Sequence, residues 1–166
     1  MIYQKLYESA IYPVYHWIMK DGANSAIREI DRNERLSRAE LADVTHGKLR
    51  QLLTHAKANV PYFRDVLNDF PVTASGTDLL DAFQGLSRTS KATINANLAS
   101  MVSVDLEGNG LDSNSTSGST GEKLIFYTDW RSGAYRKATV RRSQRWLGVN
   151  PGDPEVRLWG LSLIHI

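Results

Sequence analysis

A short segment rich in hydroxyl side chains is the part of this sequence best suited to binding an anion. It spans residues 113–122, contains Gly118 and Gly121, and leads directly into the apolar run 124–128. Glycine adopts positive φ without steric cost, so successive backbone N–H groups can point into one concavity. Its hydroxyl groups can add hydrogen bonds, each contributing roughly 1.5–3 kcal/mol when the acceptor is charged. The pattern therefore predicts a loop that holds phosphate groups.

The same composition is also typical of a flexible linker, so the setting of the segment has to decide between the two. Residues 124–128 are β-branched and aromatic, which predicts a strand, and a helical pattern follows from Trp130. Other known loop types do not fit. The Gly118–Gly121 pair lacks the basic residues of an RNA-clamping loop, and no Gly-Lys-Ser/Thr sequence closes it as in a Walker loop. The anion-binding loop is favoured, and the linker stays open.

The bulk properties are those of an ordinary globular protein. Of 166 residues, 42% are hydrophobic and 23% charged. A net charge of +2 is too small to require a nucleic-acid or membrane partner. The sequence has no cysteine, which excludes disulfides and thiolate chemistry and suits a reducing compartment. We find no signal-peptide pattern and no apolar run of about 20 residues, so we expect a cytoplasmic protein without an integral membrane segment.

Helical patterns dominate the first hundred residues. Pro13 is expected to end or kink a first helix within 2–19, whose aromatic side chains we expect to pack against the body. Ser37 and Glu40 have the spacing of a capping box, which predicts the start of a long helix that ends at Pro61. Six residues spaced three or four apart predict its buried face: Leu41, Thr45, Leu49, Leu52, Ala56 and Val60.

Shorter elements follow. The patterns predict a helix over 62–70, a strand over 101–105, a helix over 130–147 and a strand over 155–160. His46 and His55 lie nine residues apart, whereas metal-binding pairs on a helix are three or four apart, so we interpret both as surface or packing residues and predict no metal site. Lys91 is interpreted as a solvated lysine that starts a helix.

The helix predicted at 130–147 is strongly basic, which raises nucleic-acid binding as an alternative function. Its charges are spread round the helix with no acid in the segment to offset them, so we predict instead a solvated helix that partly covers the sheet and no nucleic-acid partner. One or two of the cations could add positive potential near a bound nucleotide. The six cations are Arg131, Arg136, Lys137, Arg141, Arg142 and Arg145.

The hydroxyl-rich loop resembles a known family. Its sequence TSGSTGE at 116–122 is similar to the phosphate-binding loop of adenylate-forming enzymes, in the form found in phenylacetate–CoA ligases and CapK-like proteins. Those enzymes usually continue with proline, where this chain has Lys123. This departure concerns the rigidity of the loop exit and not the composition of the loop.

Three further segments resemble the same family, in the same order along the chain. HAKANVPYFR at 55–64 is similar to the pattern His-Ala-x-x-Asn-Val-Pro-Tyr-Tyr-Arg and differs only at Phe63. LSRTSK at 86–91 is similar to Leu-Pro-x-Leu-x-Lys, from which Ser87 and Thr89 depart. GVNPGD at 148–153 is similar to a family turn that precedes a strand ending in Trp-Gly. Four matches in order are harder to obtain by chance than one.

The resemblance implies an AMP-forming carboxylate–CoA ligase that activates a small carboxylic acid as an acyl-adenylate, with ATP, with Mg²⁺ bound through the nucleotide, and with coenzyme A as co-substrate. A CapK-like protein of polysaccharide biosynthesis and a non-catalytic helical interaction domain with a Ser/Thr/Gly linker remain alternatives. The catalytic residues and the oligomeric state are not indicated. The residues expected to hold the phosphates are Thr116, Ser117, Gly118, Ser119, Thr120 and Gly121.

The expected fold class is α/β, with a mostly helical region at 1–100 followed at 101–160 by the ATP-binding start of the large domain of adenylate-forming enzymes. Residues 161–166 match one reading frame of an adapter used in sequencing libraries, so we expect a non-native tail and a protein that continues beyond Gly160. On this interpretation the chain is a truncated N-terminal part that is inactive alone, and the family's acyl pocket and catalytic lysine lie downstream.

Overall fold

The computed structural model of the protein describes residues 2–106, 110–116 and 123–154. Within these ranges the chain is mostly helical, with one two-stranded antiparallel sheet, which is compatible with the α/β class. The large domain implied by the resemblance stays a prediction. The helices are α1 (Ile2–Leu6), α2 (Tyr12–Ile18), α3 (Ala23–Asn33), α4 (Arg38–Asn59), α5 (Pro61–Val66), α6 (Gly76–Gln84), α7 (Lys91–Ala96) and α8 (Trp130–Trp146), and the strands are β1 (Asp112–Ser115) and β2 (Ile125–Thr128).

Pro13 was expected to end or kink the first helix, and it does not end it. α1 continues through a π-helical turn at Tyr7–Ile11 into α2, and Tyr12 keeps right-handed helical angles directly before the proline. A proline inside a helix lacks an N–H and its ring crowds the carbonyl four residues earlier. The wider π-helical turn provides room for that ring, so the effect of Pro13 is a local change of helix type.

Only one side of α2 packs against the body. His16 is buried and its Nδ1 lies 2.6 Å from the Asp21 carboxylate. Elsewhere on the helix Tyr15, Trp17 and Ile18 are 55%, 75% and 63% exposed. The expectation that the aromatic segment packs inward therefore holds for the His16 side alone. No helix in the described ranges is long and apolar enough to cross a membrane.

The start of α4 is confirmed in detail. Ser37 Oγ accepts a hydrogen bond from the Glu40 N–H at 3.3 Å, and the Ser37 N–H donates to the Glu40 carboxylate at 2.8 Å. The two interactions form the predicted capping box and satisfy N–H groups that have no partner within the helix. At its other end α4 stops at Asn59, directly before the Val60–Pro61 pair.

The buried face of α4 differs from the predicted one. Leu53 is buried, whereas Leu52, which the sequence pattern placed in the core, is 61% exposed, and Leu41 and Thr45 are also exposed. Both leucines satisfy spacings of three and four, so the pattern alone does not choose between them. The choice follows from α5 and α6, which pack on the Leu53 side.

The larger core cluster joins α4, α5 and α6. Leu53, Leu67, Phe70 and Leu79 are buried together, and Leu49, Ala56 and Phe63 are among the residues packed round them. The predicted helix over 62–70 is too long, because α5 ends at Val66 and turns follow. Leu67, directly after α5, and Phe70, after the turns that follow, both reach this core.

A second cluster joins two helices that are about a hundred residues apart in the sequence. Ala26 of α3 is buried against Ala134 and Ala138 of α8, with Ile27 and Ile30 packed beside them. Small side chains allow two helix backbones to approach closely. α8 itself was predicted almost to the residue, but it packs on α3 and is not simply a solvated cover for the sheet.

Acidic residues from the start of the chain offset half of the positive charges of α8. Lys137 Nζ lies 2.7 Å from Asp21, and Arg141 pairs with Glu8. Arg145 pairs with Asp31 at 2.7 Å and also with Glu34. The helix segment itself contains no acid, and the acids that offset three of its cations lie more than a hundred residues earlier in the sequence. Ion pairing of this kind weakens the case for nucleic-acid binding.

At the start of α3, Gly22 lies close to the Trp130 ring, so we expect a side chain at this position to destabilise the protein. Gly22 caps α3 with φ of +71°, and an added Cβ would lie 2.7 Å from the Trp130 ring. We expect Gly22→Ala to lower the free energy of unfolding by about 1–2 kcal/mol, measured by urea denaturation. Gly47→Ala is the control, because Gly47 lies inside α4 with open space around it, and it should raise stability by about 0.5–1 kcal/mol. Shifts of the same sign would contradict this account.

The interactions around Asp21 predict that the stability of the folded protein depends on pH. Burial alone would raise the pKa of Asp21, but hydrogen bonds from Lys137, from the Ala23 N–H and from His16 outweigh it and lower the pKa to about 2. A lowered pKa in the folded state means that the stabilisation is complete above the ordinary carboxyl pKa and is lost as the pH falls towards 2.

We therefore expect Asp21→Asn to cost about 1–2 kcal/mol of unfolding free energy at neutral pH, after allowance for solvent screening. The difference from the wild type should shrink between about pH 4 and pH 2 in urea titrations. Asp43→Asn removes an exposed carboxylate that is not paired in the described structure and serves as control. A cost for Asp21→Asn that stays constant across this range would refute the assignment.

Candidate functional site

The segment predicted to bind phosphate joins two paired strands. β1 pairs antiparallel with β2, with Asp112 opposite Thr128 and Ser115 opposite Ile125. The strand predicted at 124–128 is thus confirmed from Ile125 onward. Residues 113–115, which the sequence placed in the loop, belong to β1. These residues are polar and exposed and have little strand propensity, so their extended conformation comes from pairing with β2.

Thr116 closes the hairpin. Its N–H donates to the Leu124 carbonyl at 3.0 Å, and its Oγ1 accepts from the Leu124 N–H at 3.1 Å. Of the predicted phosphate-binding residues, Thr116 is the one within the described ranges. Its hydroxyl oxygen already accepts a hydrogen bond from Leu124, while its O–H can still donate to a ligand. The other five lie outside the described residues: Ser117, Gly118, Ser119, Thr120 and Gly121.

Asn95 of α7 fixes the second arm of the hairpin where the loop rejoins it. Its amide nitrogen donates to the Lys123 carbonyl at 2.8 Å, and its amide oxygen accepts from the Ile125 N–H at 3.4 Å. The sequence analysis did not identify Asn95, because nothing local in the segment after Lys91 connects it with residues 28 and 30 positions away. The loop exit therefore gains support from α7, at the place where the resembling family has proline.

The far end of the hairpin leads into α8. Asp129 caps this helix by accepting a hydrogen bond from the Ser132 N–H at 2.8 Å. Because β2 has four residues, each rising about 3.3 Å, its two ends are roughly 10–13 Å apart. Arg131 follows the end opposite to Thr116 and acts electrostatically on Asp105. Which of the α8 cations adds positive potential near a bound nucleotide stays a prediction, since residues 117–122 lie outside the described ranges.

His55 lies at a polar junction between α4 and the chain that leads to β1. Its Nε2 lies 3.0 Å from Ser103 Oγ, its Nδ1 lies 3.1 Å from the Asn59 amide nitrogen, and the Val104 N–H donates to the Asn59 carbonyl at 2.9 Å. The strand predicted over 101–105 is wrong, because these residues turn to make this junction. The residues of the HAKANVPYFR segment thus have a structural use, since they connect the helical region to the hairpin.

The junction contains a serine, a histidine and an aspartate, but not in the order that activates a nucleophile. Ser103 Oγ donates to the Asp105 carboxylate at 2.5 Å, and this hydrogen bond, with smaller effects from His55 and Arg131, lowers the pKa of Asp105. With His55 Nδ1 accepting from Asn59, Nε2 carries the proton and donates to Ser103. A general base would have to accept the serine proton instead, so this cluster holds structure together.

The remaining sequence candidates have ordinary surroundings. His46 packs beside Gly76, where an added Cβ would lie 2.5 Å from its Nδ1. Lys91 is exposed at the first position of α7, as expected, and Ser90 caps that helix. Across residues 2–106, 110–116 and 123–154, no group of three or more histidine, aspartate or glutamate side chains is placed to hold a metal ion.

Comparisons with known proteins add no relative to this picture. No family model, no curated protein and no solved structure matches the chain. The site therefore consists, as far as the described residues go, of a hairpin closed by Thr116 and supported by Asn95, which holds the two ends of segment 117–122.

The support from α7 leads to a test. Asn95→Ala removes two hydrogen bonds to the hairpin, each contributing about 1 kcal/mol, so we expect amide hydrogen exchange at Ile125 to accelerate at least about fivefold. Asn68→Ala is a matched control, because among the described residues that exposed side chain bonds only the neighbouring Asp69. Equal exchange rates at Ile125 in the two variants would show that Asn95 does not hold the hairpin.

Proposed function

We propose that this chain is the N-terminal part of an ATP-dependent, AMP-forming carboxylate–CoA ligase similar to phenylacetate–CoA ligase. The observation that carries the proposal is that the hydroxyl- and glycine-rich segment 117–122 joins two hydrogen-bonded antiparallel strands. An interdomain linker has no need for a closed base, whereas an anion-binding loop has to return on itself. Among anion-binding proteins we favour a ligase, because four segments of the sequence resemble the ligase family in the same order.

In the proposed reaction the carboxylate of a small acid attacks the α-phosphate of ATP, forming an acyl-adenylate and releasing pyrophosphate. The thiolate of coenzyme A then attacks the acyl carbon and AMP leaves. The proposed role of residues 116–121 is to hold the β- and γ-phosphates with backbone N–H groups and hydroxyls as charge develops on the departing pyrophosphate. Magnesium would be bound mainly through these phosphates. The loop would contribute positioning and charge stabilisation and no covalent step.

A closed hairpin base would lower the entropy cost of binding phosphate at this loop. Ordering a flexible loop when a ligand binds costs conformational entropy, which subtracts from the affinity. Thr116 and Asn95 hold both ends of the segment before any ligand is present, so fewer residues have to be ordered on binding. This pre-organisation also supplies part of the stiffness that proline gives to the loop exit in the resembling enzymes.

Limited proteolysis of this chain tests the nucleotide contact. We expect magnesium-ATP to slow cleavage within residues 117–122, because phosphates held by the loop would restrict access to its backbone. Adenosine with the same magnesium concentration is the control, since it has no phosphates. Cleavage at an unchanged rate with magnesium-ATP would support the linker alternative and contradict the proposal.

Pyrophosphate exchange tests the reaction in the protein encoded by the full source locus. We expect Thr120→Ala combined with Gly121→Ala to lower ATP–pyrophosphate exchange by at least about tenfold, since loss of one charge-assisted hydrogen bond already has that effect. Thr45→Ala combined with Gly47→Ala replaces the same residue types on α4, where Thr45 is exposed and Gly47 has open space, and should leave exchange unchanged. Equal activities of the two double variants would remove the loop from the mechanism.

A further inference from the structure

A groove between α4, α5 and α6 is a feature of the helical region that the proposed function does not use. It has a volume of about 820 Å³, within the range of roughly 300–1,000 Å³ found for small-molecule sites. Its walls are apolar and include Leu52, Phe63, Val66 and Phe83. Leu52 is 61% exposed and Val66 47% exposed, so a ligand that covers them would remove apolar surface from water.

Part of the lining of the groove is polar. The segment that follows α6 contributes Ser87, Arg88 and Thr89 to the lining, and Arg88 is the one charged residue among the described lining residues. In the described parts of the chain, no carboxylate lies within ion-pair distance of the Arg88 guanidinium, in contrast to Arg141 and Arg145 of α8. The groove thus combines an apolar body with a single uncompensated positive charge.

This combination specifies a ligand chemistry. A guanidinium group presents parallel N–H donors that match the two oxygens of a carboxylate or phosphate. Two neighbouring hydroxyls, on Ser87 and Thr89, can donate to the same oxygens. An apolar chain or ring attached to the anion would cover the exposed walls at the same time.

We propose that this groove binds an amphiphilic anion, with the apolar part along α4, α5 and α6 and the oxyanion head at Arg88. The site goes beyond the proposed ligase function, since its described lining residues include none from β1, Thr116 or β2. A helix from another protein would cover the same walls, but it would leave Arg88 unpaired unless it carried an acid at that position. An amphiphilic anion satisfies both features with one molecule.

Calorimetric titration of this chain with three ten-carbon probes, each below its micelle concentration, tests the chemistry. Decanoate represents a free carboxylic acid, decyl phosphate a phosphate ester, and decyltrimethylammonium has the same chain with the opposite charge. We expect one decanoate per chain and at least about tenfold weaker binding of the ammonium probe, because its head meets Arg88. Whichever anion binds more tightly identifies the head group, and equal affinity for anion and cation overturns the proposal.

Variants locate the binding. Arg88→Gln should weaken decanoate binding about tenfold or more, and Arg88→Lys should recover part of it, since lysine keeps the charge without the paired donors. Arg38→Gln, at the exposed start of α4, is the matched control and should have no effect. Leu52→Gln changes an exposed wall residue and should also weaken binding without unfolding the protein, which far-ultraviolet circular dichroism checks.

Two results would overturn the site. The first is unchanged decanoate binding by Arg88→Gln, which would place the head elsewhere. The second is a concentration-dependent dimer in light scattering that Leu52→Gln disrupts and decanoate does not, which would show that a second copy of the chain covers the groove.

Discussion

The close contact between α3 and α8 is the constraint on which the arrangement of the described residues depends. Ala26 meets Ala134 and Ala138 there, and the helices can approach because these side chains are small. Buried alanines contribute little apolar area, so the contact needs further support. Arg145 supplies it through Asp31 and Glu34, and Tyr135 donates to Glu29, which also pairs with Lys48 of α4. One glutamate on α3 thereby joins three helices.

The position of the hairpin follows from this contact. α8 begins two residues after β2 ends, so fixing α8 on α3 also fixes one end of β2. α7 holds the other end through Asn95, and the His55–Ser103 junction holds the chain that approaches β1. The paired strands alone would be marginal, because an isolated two-stranded hairpin has little stability in water. The base of segment 117–122 is therefore held by parts of the chain before and after it.

The sequence predicts the local features of this structure well. The capping box at Ser37 and the extent of α8 depend on residues within a few positions of one another, and both are confirmed. The errors arise where tertiary contacts decide. Leu52 and Leu53 have equally good spacing, and only the position of α5 and α6 distinguishes them. The polar strand β1 exists because β2 lies beside it, and the acids that balance α8 cannot be found by inspecting α8 itself.

The candidate site also combines local features that the sequence predicts with tertiary contacts that it does not. Glycine and hydroxyl composition predicts an anion-binding loop, because backbone freedom and donor groups are properties of the residues themselves. The supports of the loop are not visible in this way, since Asn95 is separated from Lys123 by 28 positions and from Ile125 by 30. The groove at Arg88 was hidden for a related reason. A cation following a helix resembles any solvated arginine until the fold places it in one groove with exposed Leu52 and Phe83, with no acid of the described residues at ion-pair distance.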